Sequence, residues 1–157
     1  DTKAIAAIET NQTKIIANPN CRKMLNRGQE MKNGDVLQLA KDIKLEAVPA
    51  YNTTPGRDKF HPKGRDNGYI LTLGETRIYI AGDTEDIPEL NQVKDIDIAF
   101  LPVNQPYTMT PEQAIRAAKI IKPRVLYPYH YGETDIHKVK EGLKNETGTE
   151  VRIRALQ

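Results

Sequence analysis

The sequence predicts a mixed α/β (α+β) fold, in which helices cover the outer face of a mixed sheet. Two observations lead to this prediction. The first half of the chain pairs alternating strands around tight turns, and Gly74-Glu75 has the glycine that a type II′ hairpin prefers. The second half alternates apolar strands with helices, as chains with crossover connections do. Hairpins followed by crossovers indicate a mixed sheet rather than a purely antiparallel one.

In the first half, short periodic segments alternate with turn residues. A helical pattern begins at Asp1, and Pro19 opens a second short helix after an apolar stretch. The turn Asn33–Asp35 separates that helix from the hairpin region. The pattern predicts helices over 1–8 and 19–25 and strands over 13–18, 36–39, 43–48, 68–73 and 76–80.

The second half has stronger signals for helices and strands. Thr110, Pro111 and Gln113 form a capping box with proline at the first helical position, and Pro123 ends that helix. Continuous apolar runs before and after it indicate buried strands. The pattern predicts helices over 85–90, 110–122 and 135–144 and strands over 96–103, 124–131 and 151–156.

Length and composition restrict the class of protein. The 157 residues suffice for one domain, and the net charge of +2 comes from 23 basic and 21 acidic residues that are interspersed. No nucleic-acid or membrane partner is expected from this charge pattern, and no apolar run is long enough to span a bilayer. We therefore expect a soluble, cytoplasmic protein. A single cysteine, Cys21, excludes an internal disulfide and a cysteine-cluster zinc site.

One long segment between predicted strands lacks any period. It runs from Thr53 to Asn67, is rich in Pro, Gly and charged residues, and contains His61 and Lys63. Long ordered loops in compact domains are usually functional or mobile. Lys63 would suit the anionic group of a substrate, or it serves only as a solvated surface charge.

Two predicted strands end on a potential metal ligand with a glycine within two residues. Asp83 follows Ile80–Gly82, and His130 follows the apolar strand before it. Carboxylate and imidazole groups are common ligands of zinc and iron. Gly82-Asp83 is also compatible with an ordinary turn, and His130 with a core histidine. His61 is the third candidate, whereas His137 is expected on the solvated face of its helix.

Four motifs in a fixed order resemble the second half of the metallo-β-lactamase superfamily. They are Tyr79–Thr84, Ile96–Val103, Tyr107–Thr110 together with Glu112–Ala114, and Pro128–Tyr131. The nearest group by resemblance is that of hydrolases related to L-ascorbate-6-phosphate lactonase. The resemblance implies an αββα sandwich with a metal site at the edge between two sheets. It also implies one or two ions, usually zinc, with manganese or iron as alternatives.

The resemblance implies roles for individual residues. Asp83 would be the carboxylate shared by the metals, and His130 the ligand from the last motif. The superfamily has a further histidine ligand after the strand that precedes the long loop. This sequence has Asn52 at that place. Either Asn52 contributes an oxygen ligand, or His61 substitutes for the missing histidine. His61 could also lie behind the ligands or face the substrate. Tyr107 would line the mouth of the pocket or pack in the core.

The superfamily signature His-x-His-x-Asp-His is not found in this sequence. We therefore expect residues 1–157 to form a single incomplete domain, the C-terminal part of a longer protein. The function implied is metal-dependent hydrolysis of an ester, lactone, amide or phosphoester bond in a small molecule. The alternative is a non-catalytic binding domain that retains the fold without a functional metal site. Half of a sandwich would expose an apolar sheet face, so a homo-oligomer is also expected.

Overall fold

The computed structural model describes residues 1–156. The helices of this part are α1 (Thr2–Ile8), α2 (Pro19–Leu25), a 3₁₀-helix (Pro88–Gln92), α3 (Pro111–Ile121) and α4 (His137–Gly142). The strands are β1 (Ile16–Ala17), β2 (Gln29–Glu30), β3 (Val36–Ala40), β4 (Ile43–Ala50), β5 (Asp66–Leu73), β6 (Thr76–Ile80), β7 (Ile98–Pro102), β8 (Val125–Tyr129) and β9 (Glu150–Val151).

Strands β3 to β9 form one seven-stranded sheet in sequence order. Strands β3 to β6 pair antiparallel, with short turns between β3 and β4 and between β5 and β6 and the long loop between β4 and β5, whereas β6 to β9 pair parallel. Parallel neighbours need crossover connections, and here these contain the 3₁₀-helix, α3 and α4. The predicted mixed sheet is therefore confirmed. Strands β1 and β2 form a separate two-stranded parallel sheet.

One face of the large sheet and the helices above it enclose the hydrophobic core. Leu101 and Leu126 from the sheet and Ala114, Ala117 and Ala118 from α3 belong to this core and are buried. Small residues on the inner face of α3 allow a helix to approach its neighbours closely. The sheet and its helices thus form two layers, as the sequence predicted.

Helix α3 begins and ends as its sequence indicates. The Thr110 hydroxyl accepts a hydrogen bond from the Gln113 backbone N–H, and the Gln113 side chain accepts one from the Thr110 backbone. Pro111 occupies the first turn, where its missing N–H costs nothing. Lys122 ends the helix in the left-handed conformation, directly before Pro123. The capping box holds the end of the helix that follows the loop after β7.

Several predicted boundaries were wrong. The helix predicted over 85–90 is a 3₁₀-helix that begins at Pro88, because Glu85 is used in a buried contact described below. The long loop ends at Arg65, since Asp66 already pairs with Ala50 as the first residue of β5. The strand predicted over 151–156 is only two residues long, and β2 was not predicted at all.

The second face of the sheet carries half-buried and exposed apolar side chains. Phe100 stacks on Tyr127 with ring centroids 5.2 Å apart, and Ile80 pairs in register with Phe100 and is exposed. The strand register places further members of this second face in adjacent rows. They are Leu45, Tyr69, Leu71, Ile78, Ile98 and Val125.

We expect the 157-residue chain, prepared alone, to self-associate through this second face, because burial of apolar area drives association. Sedimentation velocity should show concentration-dependent dimers or larger species. Replacing Ile80 and Phe100 with lysine should shift the distribution toward monomer. Ile8→Lys, at an exposed position on α1, is the matched control and should leave it unchanged. A monomer at all concentrations with cooperative unfolding would contradict this prediction.

Candidate metal centre

The two strand ends that carry Asp83 and His130 lie at the same edge of the sheet. Strands β6 and β8 both run parallel to β7, so their carboxyl ends meet there. His130 Nδ1 lies 2.8 Å from Asp83 Oδ1, within hydrogen-bonding distance. The structure therefore brings these two candidate ligands together, and their binding of a metal stays a prediction.

The backbone at both strand ends has an uncommon conformation. Gly82 has a φ of 67°, and a Cβ at this position would lie only 2.7 Å from the carbonyl oxygen of Asn67. His130 has a φ of 47°, which is rare for a residue with a side chain, and its N–H donates to the carbonyl of Leu156. Such conformations concentrate at functional sites, where the surrounding structure holds them.

The long loop brings His61 to the same carboxylate. His61 Nε2 lies 3.5 Å from Asp83 Oδ2, while His130 contacts the other oxygen. The loop is anchored there because the N–H of Asn52 donates to the carbonyl of His61 over 2.8 Å. Asp83 thus lies between two imidazoles, with one oxygen toward each.

The donor chemistry of these three residues suits a metal, but they do not complete a site. Imidazole nitrogen and carboxylate oxygen are ligands that zinc accepts, usually three or four per ion. Each oxygen of Asp83 lies near one histidine. Asp83 and His61 therefore offer two potential ligands on one side, and Asp83 and His130 offer two on the other. Within residues 1–156, no group of three or more His, Cys, Asp or Glu side chains is arranged to hold a metal ion. Asp83, His61 and His130 therefore fit as part of a ligand set.

Asn52 lies in the wall next to this centre and is buried. Its side-chain amide donates to the carbonyl of Arg57 over 3.0 Å and to that of Tyr107 over 2.7 Å. Its Oδ1 is buried without a hydrogen-bond partner among the described residues. An unpaired buried oxygen is costly, so it is available to a metal or a substrate donor. A direct role for Asn52 stays a prediction.

Lys63 and Tyr107, the other predicted substrate contacts, differ in their surroundings. The Lys63 ammonium lies 3.1 Å from Glu89 and 4.8 Å from the ring centroid of Tyr51, so its charge already has partners. Tyr107 is 45% exposed and packs edge-on against Phe60, the residue before His61. The aromatic position is therefore next to the loop that carries His61, and both roles stay predictions.

The sequence patterns gave no indication of a buried ion pair beside the centre. Glu85 is fully buried, and its Oε2 accepts hydrogen bonds from the N–H groups of Thr53 and Thr54 and the Thr53 hydroxyl. Its Oε1 lies 3.0 Å from Arg57. Burial by itself would raise the pKa of the Glu85 carboxyl, but the donors from Thr53 and Thr54 outweigh burial and lower it.

Arg57 extends this contact to the loop after β7. Its guanidinium donates to the carbonyl of Pro106 over 2.8 Å and also to that of Thr108. Glu85 and Arg57 therefore connect the long loop, the segment after β6 and the loop that carries Tyr107. No local sequence signal predicts such a contact, because the residues are far apart in the chain.

The chain has the metallo-β-lactamase fold. The structure superimposes on a metallo-β-lactamase fold protein from Bacillus subtilis with a TM-score of 0.68 and 14% identity, covering 91% of this chain and 62% of the other. It also matches a candidate metal-dependent hydrolase from Parabacteroides distasonis with a TM-score of 0.96 and 62% identity, over 100% of this chain and 71% of the other.

Residues 3–131 match the family model described as a β-lactamase superfamily domain, so the chain belongs to that family. A relative from Pelotomaculum thermopropionicum, named a UPF0173 metal-dependent hydrolase, is 29% identical over 122 residues. That match covers 71% of this chain but only 54% of the relative, so the chain spans about half the length of such relatives. None of the helices in residues 1–156 has the length and apolar content needed to cross a membrane.

Proposed function

We propose that the protein is a metal-dependent hydrolase that uses metal-activated water to cleave an ester, lactone, amide or phosphoester bond in a small molecule. The observation that supports this proposal is the position of Asp83 between His61 and His130 at the carboxyl edge of the sheet. Membership of the β-lactamase superfamily and the names of the relatives agree with it.

In this proposal Asp83, His61 and His130 hold the metal, and further ligands complete its coordination. Zinc suits this set of nitrogen and oxygen donors, and one or two ions are expected, with manganese or iron as alternatives. A bound metal supplies an acidified water molecule as nucleophile and polarises the bond under attack. The residues of this chain position the metal and shape the pocket.

The wall residues would orient the substrate. Asn52 has a free buried oxygen that can accept a hydrogen bond, and the exposed ring of Tyr107 can cover an apolar part of the molecule. Lys63 would attract an anionic group if the substrate displaces its pairing with Glu89. A lactone is the first substrate to test, because the motifs resemble those of the L-ascorbate-6-phosphate lactonase group.

The proposal is tested on protein expressed from its complete gene. Elemental analysis should find one or two equivalents of zinc, manganese or iron, and the protein should hydrolyse at least one lactone, p-nitrophenyl ester or phosphodiester. His130→Ala should lose bound metal and at least about a hundredfold in activity, since several kcal/mol of transition-state stabilisation depend on the metal. His137→Ala, at an exposed position on α4, is the control and should change neither.

A non-catalytic binding domain is the second candidate. The observation in its favour is that the described residues contain no complete group of metal ligands. In that case the protein purified from the complete gene would contain no metal, and His130→Ala would leave binding of small molecules intact. Metal-dependent turnover that is lost in His130→Ala would eliminate this candidate.

A further inference from the structure

Asp66 is the residue behind His61. Its Oδ2 lies 3.1 Å from His61 Nδ1, on the opposite side of the imidazole from Asp83. As the first residue of β5, Asp66 has its backbone held by the strand pair with Ala50. The sequence patterns assigned it to a loop and gave it no role.

The Asp66 carboxylate is held in place by further donors. Arg65 donates to Asp66 Oδ2 over 2.7 Å and to Oδ1 over 3.0 Å, and the side-chain amide of Asn18 donates to Oδ1 over 3.3 Å. Asn18 is itself fixed, because it caps α2 by accepting from the N–H of Cys21. Burial by itself would raise the pKa of the Asp66 carboxyl, but His61 and Arg65 outweigh burial and lower it.

This arrangement sets the state of the His61 ring. His61 Nδ1 lies 3.1 Å from Asp66 Oδ2 and 3.5 Å from Arg65 Nη2. A carboxylate can only accept hydrogen bonds, so the shorter contact with Asp66 favours a proton on Nδ1. In the neutral ring the lone pair is then on Nε2, which lies 3.5 Å from Asp83 Oδ2. Two electron-rich atoms that face each other across this gap suit a cation bound to both. Histidine ligands commonly donate their other ring N–H to a carboxylate in this way.

We propose that Asp66 is a positioning residue that holds His61 in the Nδ1–H tautomer and directs Nε2 toward a metal shared with Asp83. Arg65 compensates the negative charge of Asp66. A second carboxylate can therefore lie near the centre and still orient His61. This inference rests on the proposed function, because it requires a metal at Asp83. The role of Asp66 is inferred from its contacts with His61, Arg65 and Asn18, and it does not depend on which substrate the protein binds.

Two measurements on the protein from its complete gene test this role. The first is affinity for Zn²⁺ alone, by competition with a fluorescent chelator. Asp66→Ala should weaken binding by about 10- to 100-fold, as expected for loss of an orienting carboxylate. Asp66→Asn should weaken it less, since an amide oxygen can still accept from Nδ1. Asp58→Asn, in the same loop and exposed, is the control and should not change the affinity.

The second measurement is the tautomer of His61 in metal-free protein, read from ¹⁵N chemical shifts of the imidazole and assigned with His61→Gln. Wild type should show the Nδ1–H form, and Asp66→Ala should shift it toward Nε2–H. A purely structural role for Asp66 would lower stability without changing the tautomer. Asp66→Asn keeps the test available if Asp66→Ala does not fold.

The outcomes separate the two proposals. If wild type binds zinc, and Asp66→Ala retains both the affinity and the tautomer, the role of Asp66 is overturned while the proposed function stands. If wild type binds no metal, the proposed function fails and the inference about Asp66 fails with it. Weaker zinc binding together with a changed tautomer supports the role of Asp66.

Discussion

Replacing Asp83 with asparagine is expected to remove the bound metal and to lower hydrolytic activity by about a thousandfold or more, since the metal supplies several kcal/mol of transition-state stabilisation. Asparagine retains the shape of aspartate but loses the charge. It also presents only one oxygen, whereas Asp83 directs one oxygen to each of His61 and His130. The measurements are metal content and initial rates on the substrate found for wild type.

Asp95→Asn is the matched control. Asp95 is an exposed acid before β7, at the opposite edge of the sheet from Asp83, and already has a φ of 56° that asparagine tolerates. This variant should retain full metal content and activity. Asp83→Asn with the circular dichroism spectrum of wild type, normal metal content and normal rates would show that Asp83 is not a ligand.

Replacing Glu85 with alanine is expected to lower the free energy of unfolding by about 3–5 kcal/mol, as removal of one partner from a buried ion pair does. The substitution removes the carboxylate that pairs with the Arg57 guanidinium and leaves the N–H groups of Thr53 and Thr54 without their acceptor. Glu85→Gln keeps an oxygen and should cost less, about 1–3 kcal/mol. Urea unfolding followed by circular dichroism measures both changes.

Two comparisons make the Glu85 prediction specific. Glu141→Gln, at an exposed position in a surface pair with Lys144, should cost under about 0.5 kcal/mol. In the double variant of Glu85→Gln with Arg57→Gln, the total cost should be smaller than the sum of the single costs, because the two residues interact directly. Equal costs for Glu85→Ala and Glu141→Gln would contradict the importance of this buried pair.

The same carboxyl gives a pH dependence with a defined sign. The pKa of Glu85 is lowered in the folded protein from its ordinary value of 4.5. Glu85 therefore contributes stability that is fully present above pH 4.5 and is lost as the pH falls through the lower folded-state pKa. Unfolding free energies measured from neutral to acidic pH should decrease less for Glu85→Gln than for wild type over that range.

The candidate site was predictable only in part. Asp83 and His130 were candidates from the sequence because each follows an apolar strand and has a glycine within two residues, and neighbouring parallel strands end at the same edge. His61 was a candidate, but its position opposite Asp83 depends on the path of the long loop. That path is set by contacts such as Asn52 to His61, which no periodic pattern reveals. The contact between Asp66 and His61 was missed for the same reason.

The sequence by itself determined the features that depend on neighbouring residues. These are the capping box at Thr110, the hairpin at Gly74, the order of most strands and helices, and the placement of a candidate ligand after two strands. Tertiary structure alone decided the contacts that stabilise the loops. Glu85 lies outside the helix that was predicted for it, because Thr53, Thr54 and Arg57 contact its buried carboxylate. In a buried position such long-range contacts outweigh local helix propensity.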